Sequence, residues 1–304
     1  MDPLAALKAM LLIRRFEAAL DARPDHGFQL YSSGQEAVSV GVCAALEPAD
    51  QLLSSGRAIG PALARGIDPR LVMAELLGKA AGPGGGKGGR GHLSKPDRGF
   101  FGAHAVVAGN ISIAAGAALA AQLEAKGGLV VCIFGDGACG AGALHETLNV
   151  AALWRLPLLL VCDNNGLSVS TPREAALAPA KLSDLAAPFG VPGATVDGMD
   201  VEAVAARAAE FAAQARSGAG PAFLECRSER FFSHSTGTRE TRSAEVMRGV
   251  KDRCPIRRYA ERLGLIDDEM TRIEAEVEAQ VAEALAFADA APYPDPAEAL
   301  SDVV

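Results

Sequence analysis

Two side chains that carry oxygen ligands, Asp136 and Asn165, each follow an apolar run with the composition of a buried strand. The runs cover residues 129–134 and 156–162, and residues 138–153 between them carry apolar side chains at helical spacing. A strand, a helix and a second strand form a βαβ unit with parallel strands and a right-handed crossover. We therefore expect Asp136 and Asn165 to lie at neighbouring carboxyl ends of a sheet, where open α/β sheets bind ligands.

The types of these two side chains suit a magnesium ion that holds a diphosphate. Mg²⁺ prefers hard oxygen ligands and takes a few from the protein and others from phosphate. Asp136 supplies a charged oxygen, Asn165 a neutral one, and a backbone carbonyl just beyond would supply a third. The glycines beside Asp136 let a diphosphate approach the backbone, and the N-terminus of the predicted helix favours an anion. Gly-Asp-Gly alone predicts only a strand-to-helix turn, but Asn-Asn after the second strand makes the pattern specific.

Other segments match a single pattern, in order and over most of residues 4–260. They are Ile13-Arg14-Arg15-Phe16-Glu17, Gly34-Gln35-Glu36-Ala37, Leu63-Ala64-Arg65-Gly66, Ala74-Glu75-Leu76, Gly88-Gly89-Arg90-Gly91-His92, residues 146–154, Asp197-Gly198-Met199-Asp200 and His234-Ser235. With the two motifs above, the chain resembles the thiamine diphosphate-dependent enzymes. It resembles most specifically the alpha subunit of a 2-oxo acid dehydrogenase E1 component, of the pyruvate, branched-chain or acetoin type.

This resemblance implies roles for particular residues. It implies that thiamine diphosphate and Mg²⁺ are the cofactors, that His234 is catalytic, and that the metal ligands are Asp136, Asn165 and the backbone of Leu167. It also implies that the backbone of the segment around Ala105 and Val107 contacts the aminopyrimidine ring. The full set of implied cofactor-binding residues is Arg57, Ala105, Val107, Asp136, Gly137, Ala138, Asn165, Leu167, Arg230 and His234.

The resemblance also implies partners. In the family, the carboxyl group that activates the cofactor belongs to a separate beta chain, so the alpha chain does not complete the site alone. We therefore expect an α2β2 heterotetramer with thiamine diphosphate bound between alpha and beta subunits, and a 2-oxo acid as substrate. A lipoylated E2 acyltransferase is the expected next partner if the reaction is oxidative.

The chain departs from the family pattern where the family usually has two histidines and a tyrosine. These positions are Gln29, Gly56 and Ile59 here, and His104 is an additional histidine nearby. The departures leave cofactor binding intact but favour an alternative function, a non-oxidative carboligase or transketolase-like two-carbon transfer with a beta subunit. A non-catalytic scaffold is a third hypothesis, and the intact metal ligands and Arg230 argue against it.

The remaining pattern predicts an α/β fold, with a parallel sheet flanked by helices, in a single thiamine diphosphate-binding domain over residues 1–304. Strand-like runs near residues 130, 158, 194 and 223 alternate with helical patterns. An N-terminal helix over 4–20 is capped by Asp2, and a helical arm over 267–288 is capped by Asp267. Residues 52–60 are expected to lead into a short helix, and residues 102–121 to form a loop and a buried helix.

Composition excludes several function classes. The formal net charge of −8 argues against a nucleic-acid partner, which would need a basic surface. No signal-peptide pattern opens the chain and no apolar run approaches about 18 residues, so we expect a soluble cytoplasmic protein without membrane contact. The six cysteines contain no Cys-x-x-Cys pair, and Cys132 and Cys162 are expected to be core residues.

Overall fold

A computed structural model describes residues 1–125 and 127–301, and its centre is a six-stranded parallel sheet. The strand order across the sheet is β2-β1-β3-β4-β8-β7, and a separate two-stranded hairpin is formed by β5 and β6. The strands are β1 (Gln51–Ser55), β2 (Phe100–His104), β3 (Val130–Gly135), β4 (Leu158–Asn164), β5 (Leu167–Ser168), β6 (Thr171–Pro172), β7 (Gly193–Asp197) and β8 (Ala222–Arg227).

Helices cover both faces of this sheet. The α-helices are α1 (Pro3–Asp21), α2 (Glu36–Cys43), α3 (Ile59–Ala64), α4 (Pro69–Leu76), α5 (Gly109–Glu124), α6 (Gly142–Trp154), α7 (Arg173–Ala176), α8 (Val201–Arg216), α9 (Ala244–Asp252), α10 (Pro255–Leu263) and α11 (Asp267–Ala290). Short 3₁₀ helices cover Gly89–Gly91, Pro96–Arg98, Asp136–Gly140, Leu182–Phe189 and Pro296–Leu300. None of the helices in residues 1–125 and 127–301 has both the length and the apolar composition that crossing a membrane requires.

The core is divided by the sheet because successive strand side chains point to opposite faces. Val131 and Ile133 of β3 pack with α1, α2, α4, α8 and α11 on one face, while Val130 and Cys132 pack with α5 and α6 on the other. Strands that are buried on both faces read as continuous apolar runs, which is typical of parallel sheets. The predicted fold class, a parallel α/β sheet flanked by helices, is confirmed.

Several predicted element boundaries also agree with the structure. The carboxylate of Asp2 accepts hydrogen bonds from the backbone N–H groups of Leu4 and Ala5 at the start of α1. Asp200 caps α8 in the same way. In α11, Ile273, Val277 and Val281 are buried at helical spacing, as the apolar pattern predicts.

Other boundaries were predicted wrongly. Strands β1 and β2 were not predicted, because they are five residues long and each combines a short apolar segment with polar or small residues. The helix predicted over 138–153 begins at Gly142, because extended Ala141 separates it from the 3₁₀ turn at Asp136–Gly140. Asp267 does not cap α11 but is its first residue; the Glu269 carboxylate accepts the hydrogen bond of the preceding backbone N–H at Ile266.

The glycine-rich segment 82–91 is an ordered loop folded around one carboxylate. Glu75, which is buried at the end of α4, accepts hydrogen bonds from the backbone N–H groups of Gly84, Gly86, Gly88 and Gly89. The charge of this buried carboxylate is thereby solvated by backbone dipoles instead of water. Glu75 fixes the path of the loop that leads to Arg90 and His92.

We predict that Glu75→Ala frees this loop, because four backbone N–H groups lose their acceptor. The free energy of unfolding should fall by about 2 kcal/mol or more, measured by urea denaturation. Trypsin should also cut faster after Lys87 and Arg90 in the folded protein. Glu75→Gln keeps one acceptor oxygen, so its free energy of unfolding should fall by less. Glu278 is exposed, and Glu278→Ala should behave as wild type. Unchanged proteolysis in Glu75→Ala would contradict this role.

Candidate active site

The site lies at the carboxyl edge of the sheet, where β3 and β4 end side by side. Gly135 of β3 pairs with Asp163 of β4, so the residues that follow each strand emerge next to one another. Asp136 begins the 3₁₀ turn after β3, and Asn165 follows the last residue of β4. The structure therefore brings these two predicted residues to neighbouring strand ends.

Both side chains carry a buried oxygen that has no hydrogen-bond partner among the described residues. These atoms are Oδ2 of Asp136 and Oδ1 of Asn165, and Asp136 is only 1% exposed. An acceptor that is buried without a donor costs free energy, and a cation bound between the two oxygens would remove this cost. Within the described ranges, no group of three or more His, Cys, Asp or Glu side chains is arranged to hold a metal ion. A cation here would depend on Asp136, Asn165 and neutral oxygens.

The β5–β6 hairpin packs against the turn that carries Asp136. A side chain at Gly137 would bring its Cβ within 2.8 Å of Ser168 Oγ, so this close approach favours glycine. Leu167 lies in β5, half-buried, and Ala138 is buried in the turn. Ser168 Oγ is a further buried atom without a partner in the described part of the chain, so unsatisfied polar atoms surround this position.

Arg230 brings unpaired donors to the same edge. It follows β8, is 3% exposed, and donates through Nη2 to the carbonyl oxygen of Val169 at 2.9 Å. Its Nε and Nη1 atoms are buried and have no acceptor in residues 1–125 and 127–301. Burial, followed by the positive charges of Arg57 and Arg242, lowers the pKa of Arg230 to about 10. A buried guanidinium with free donors is suited to an anion.

Arg57 and His234 complete this positive region. Arg57 donates to the carbonyl oxygens of Tyr31 and His234, the second at 3.3 Å. Burial, followed by the charges of Arg57, Arg230 and Arg90, lowers the pKa of His234 to about 4. His234 and Arg230 line a polar cavity of about 370 Å³ with Ser170 and Ser233. His234 is therefore a neutral imidazole at pH 7, able to donate from one nitrogen and accept at the other.

Ala105 and Val107 lie elsewhere on this edge. They belong to the segment between β2 and α5, and Val107 is 70% exposed. Neither residue lines the cavity of Arg230 or the narrow cleft that Arg57, Asp163 and Asn165 line. The structure thus gathers most predicted site residues at the ends of β1, β3, β4 and β8, and leaves these two on the open side.

The Gly34-Gln35-Glu36 motif connects α1 to the site. A Cβ at Gly34 would come within 2.2 Å of the carbonyl oxygen of Glu229, and its φ of +95° also favours glycine. The carboxylate of Glu36 pairs with Arg14 and accepts from the N–H of Gly34. Buried Glu17 accepts from Ser32 N and Ser33 Oγ, and burial raises its pKa to about 7.

Two buried carboxylates were missed by the sequence analysis. Asp163, at the end of β4, accepts from Gln35 Nε2 and Ser228 Oγ, and burial raises its pKa to about 6. Glu225 in β8 accepts from Asn164 Nδ2 at 2.8 Å, together with neighbouring backbone and hydroxyl donors. The only available signal was a carboxylate within or directly after an apolar strand. These groups fix the segments that carry the candidate ligands.

The residues that depart from the family pattern, Gln29, Gly56 and Ile59, line neither the cavity of Arg230 nor the cleft of Arg57. Ile59 is fully buried in the core at the start of α3. Gln29 is buried and donates to the carbonyl oxygen of His26. His104 ends β2 in register with Ser55, and its ring lies edge-to-face with that of His92, 6.3 Å between centroids. At Gly56, the space of a side chain is occupied by Arg90.

Together, the fold and this polar edge define an α/β protein with a ligand site at the carboxyl ends of its parallel strands. The family model described as "Dehydrogenase E1 component" matches residues 8–297. The alpha subunit of acetoin:2,6-dichlorophenolindophenol oxidoreductase from Bacillus subtilis (strain 168) is 39% identical over 281 residues, which is 91% of this chain and 84% of that protein. The pyruvate dehydrogenase E1 component subunit alpha of Rhizobium meliloti (strain 1021) is 38% identical over 314 residues, 100% of this chain and 90% of that protein.

The chain belongs to the dehydrogenase E1 component family. The predicted resemblance to alpha subunits of thiamine diphosphate-dependent 2-oxo acid dehydrogenases is therefore confirmed. Relatives of the acetoin and pyruvate types are similar to this chain to the same degree, 39% and 38%. These relatives therefore do not distinguish between the possible donors.

We predict that His234 titrates near pH 4 in the folded protein, measured by NMR of ¹³C-histidine-labelled protein and assigned with His234→Asn. The unfolded chain takes up this proton near pH 6.5, while the folded one does not take it up until about pH 4. His234 therefore makes folding less favourable as pH falls through this window, and His234→Asn should reduce the loss of stability there. A midpoint near 6.5 would contradict the electrostatic description.

Proposed function

We propose that this chain is the alpha subunit of a two-chain thiamine diphosphate enzyme that decarboxylates a 2-oxo acid and transfers the acyl group to a lipoylated E2. One observation carries the proposal. Unpaired buried acceptors, on Asp136 and Asn165, lie at the same edge as unpaired buried donors on Arg230. A cation and a polyanion together satisfy both sets of atoms, as a magnesium diphosphate would.

In this proposal, Mg²⁺ is held by Asp136, Asn165 and the backbone carbonyl of Leu167. Thiamine diphosphate supplies the nucleophilic carbon and the electron sink for decarboxylation. Arg57 and Arg230 bind the diphosphate, and Gly137 and Ala138 let it approach the backbone. Neutral His234 holds or accepts a proton at the reaction centre. The backbone at Ala105 and Val107 contacts the aminopyrimidine ring.

A beta subunit would cover the open side of this site. Val106 and Val107 are 64% and 70% exposed, and they lead directly into α5. Exposed apolar side chains continue from there along α5 and its neighbour α6, at Ile113, Leu123, Leu153 and Trp154. An apolar surface next to an incomplete site supports a partner subunit there, in an α2β2 assembly.

We also propose that residues 1–304 form one domain and that the enzyme works in the cytoplasm. Both layers of helices pack on the same sheet, which supports a single folding unit. All six cysteines are free thiols, which suits a reducing compartment.

The second candidate is a non-oxidative carboligase or a transketolase-like transfer on the same two subunits. The position of Ile59 in the core favours it, because a proton-handling side chain is absent where the family has a histidine. The two candidates differ in their acceptor. Product formation that depends on lipoamide supports the first, and carbon–carbon bond formation with an aldehyde supports the second.

We predict that Asp136→Ala strongly weakens cofactor binding in the complex co-expressed with a beta chain of the family. Calorimetric titration with thiamine diphosphate and Mg²⁺ should show an affinity at least about 100-fold lower, since a direct metal ligand is removed. Exposed Asp184→Ala is the matched control and should bind as wild type. Both complexes should assemble equally, measured by size-exclusion chromatography.

The wild-type complex should release CO₂ from a 2-oxo acid, with turnover that rises when lipoamide is added. Cofactor binding that is unchanged in Asp136→Ala would refute the proposed site. Absence of CO₂ release from pyruvate, 2-oxobutyrate and branched 2-oxo acids would refute the proposed reaction.

A further inference from the structure

Arg90 is a half-buried cation whose charge is not balanced by any carboxylate of the described residues. Its Nε donates to the carbonyl oxygen of Phe28 at 2.8 Å and its Nη1 to that of Gly56 at 3.2 Å. Burial alone lowers the pKa of Arg90, and no acidic neighbour in the described part of the chain opposes this effect. Nη2 makes no hydrogen bond with the described residues. The guanidinium is therefore fixed in place with an unused donor and an uncompensated charge.

Gly56 is what allows Arg90 to take this position. A Cβ at Gly56 would lie 3.0 Å from Arg90 Nη1 and 3.4 Å from Leu30 Cδ1. The guanidinium thus occupies space that a side chain at residue 56 would fill, directly before Arg57. The ring of Phe28 lies 4.5 Å from the guanidinium carbon and supports its other side.

Arg90 is close enough to the candidate active site to change its electrostatics. Its charge contributes to the lowered pKa values of both His234 and Arg57. Unlike Arg57, which donates to backbone carbonyls deep in the site, Arg90 belongs to the loop at the open side of the sheet edge. Positive charge therefore lies at two positions, an inner one at Arg57 and Arg230 and an outer one at Arg90.

The loop that carries Arg90 is rigid enough to present it. Glu75 binds four N–H groups of residues 84–89, immediately before Arg90. His92, two residues later, packs edge-to-face with His104 at the end of β2. A Cβ at Gly91 would lie 3.3 Å from Ala105 Cβ, so the loop also touches the segment proposed to meet the aminopyrimidine ring.

We propose that Arg90 binds the carboxylate of the 2-oxo acid donor and sets the preference of the enzyme for an acidic donor over a neutral one. This inference rests on the proposed function. A guanidinium held by two carbonyls still offers donors in a plane, and a carboxylate is the anion that a 2-oxo acid presents. The carboxylate loses its charge when CO₂ leaves. A cation that holds the carboxylate therefore favours binding of the 2-oxo acid more than it favours decarboxylation. The effect should therefore fall on KM and not on kcat.

The test compares Arg90→Gln, Arg90→Lys and Arg98→Gln in the complex with the beta chain, loaded with thiamine diphosphate and Mg²⁺. Arg98 is an exposed arginine in the next turn and serves as the matched control. The KM for pyruvate should rise about 10- to 100-fold in Arg90→Gln, with kcat within about two-fold of wild type. Arg90→Lys should recover part of this loss, and the KM for acetoin, a neutral donor, should not change.

A second measurement does not require turnover. Phenylglyoxal labels arginine, and labelling at Arg90 in the wild-type complex is read by peptide mass spectrometry. Pyruvate should protect Arg90, whereas acetoin at the same concentration should not. This measurement also decides the proposal if Arg90→Gln fails to assemble.

An unchanged KM for pyruvate in Arg90→Gln, an equal rise for pyruvate and acetoin, or no protection of Arg90 by pyruvate would each overturn the role of Arg90. These results would leave the proposed function intact as long as the wild-type complex releases CO₂ from a 2-oxo acid. If no 2-oxo acid releases CO₂ from the wild-type complex, the proposed function and this inference fail together.

Discussion

The site depends on unsatisfied polar atoms that are held together at one edge of the sheet. Acceptors on Asp136 and Asn165 and donors on Arg230 are buried, and none of them has a partner within the described residues. Each such atom costs about 1–3 kcal/mol relative to a hydrogen-bonded one. A fold that keeps several of them in one place must be stabilised elsewhere, and their opposite polarity means that a cation and an anion bound together would recover the cost.

The supporting structure consists largely of carboxylates that fix backbone segments. Glu225 fixes Asn164 next to the candidate ligand Asn165, and Asp163 joins the end of β4 to Gln35 and Ser228. Glu75 performs the same task for the glycine-rich loop. In each case a buried carboxylate is solvated by N–H and O–H donors from another segment of the chain, so that the loops keep a defined geometry before any ligand binds.

The sequence predicted what local patterns and chain topology determine. Parallel strands at 130–135 and 158–164 follow from apolar runs and a connecting helix, and their adjacency alone places Asp136 beside Asn165. Strands β1 and β2 escaped prediction because their short, mixed composition is decided by tertiary packing. The roles of Glu75, Asp163 and Arg90 also escaped, since each depends on contacts with distant or irregular segments. A single sequence contains no signal that pairs Gln35 with Asp163.

At Gly56 and Ile59, the departures from the family pattern change which groups lie next to Arg57. Ile59 points into the core and Gly56 carries no side chain, so this stretch no longer supplies polar groups next to Arg57. The vacated space is taken by Arg90, which approaches from a different loop and places a positive charge there. The inner end, which carries Asp136, Asn165 and Arg230, retains the family residues. The two ends of one site can differ in this way because separate segments build them: strand ends position the inner residues, while the glycine-rich loop positions the outer cation.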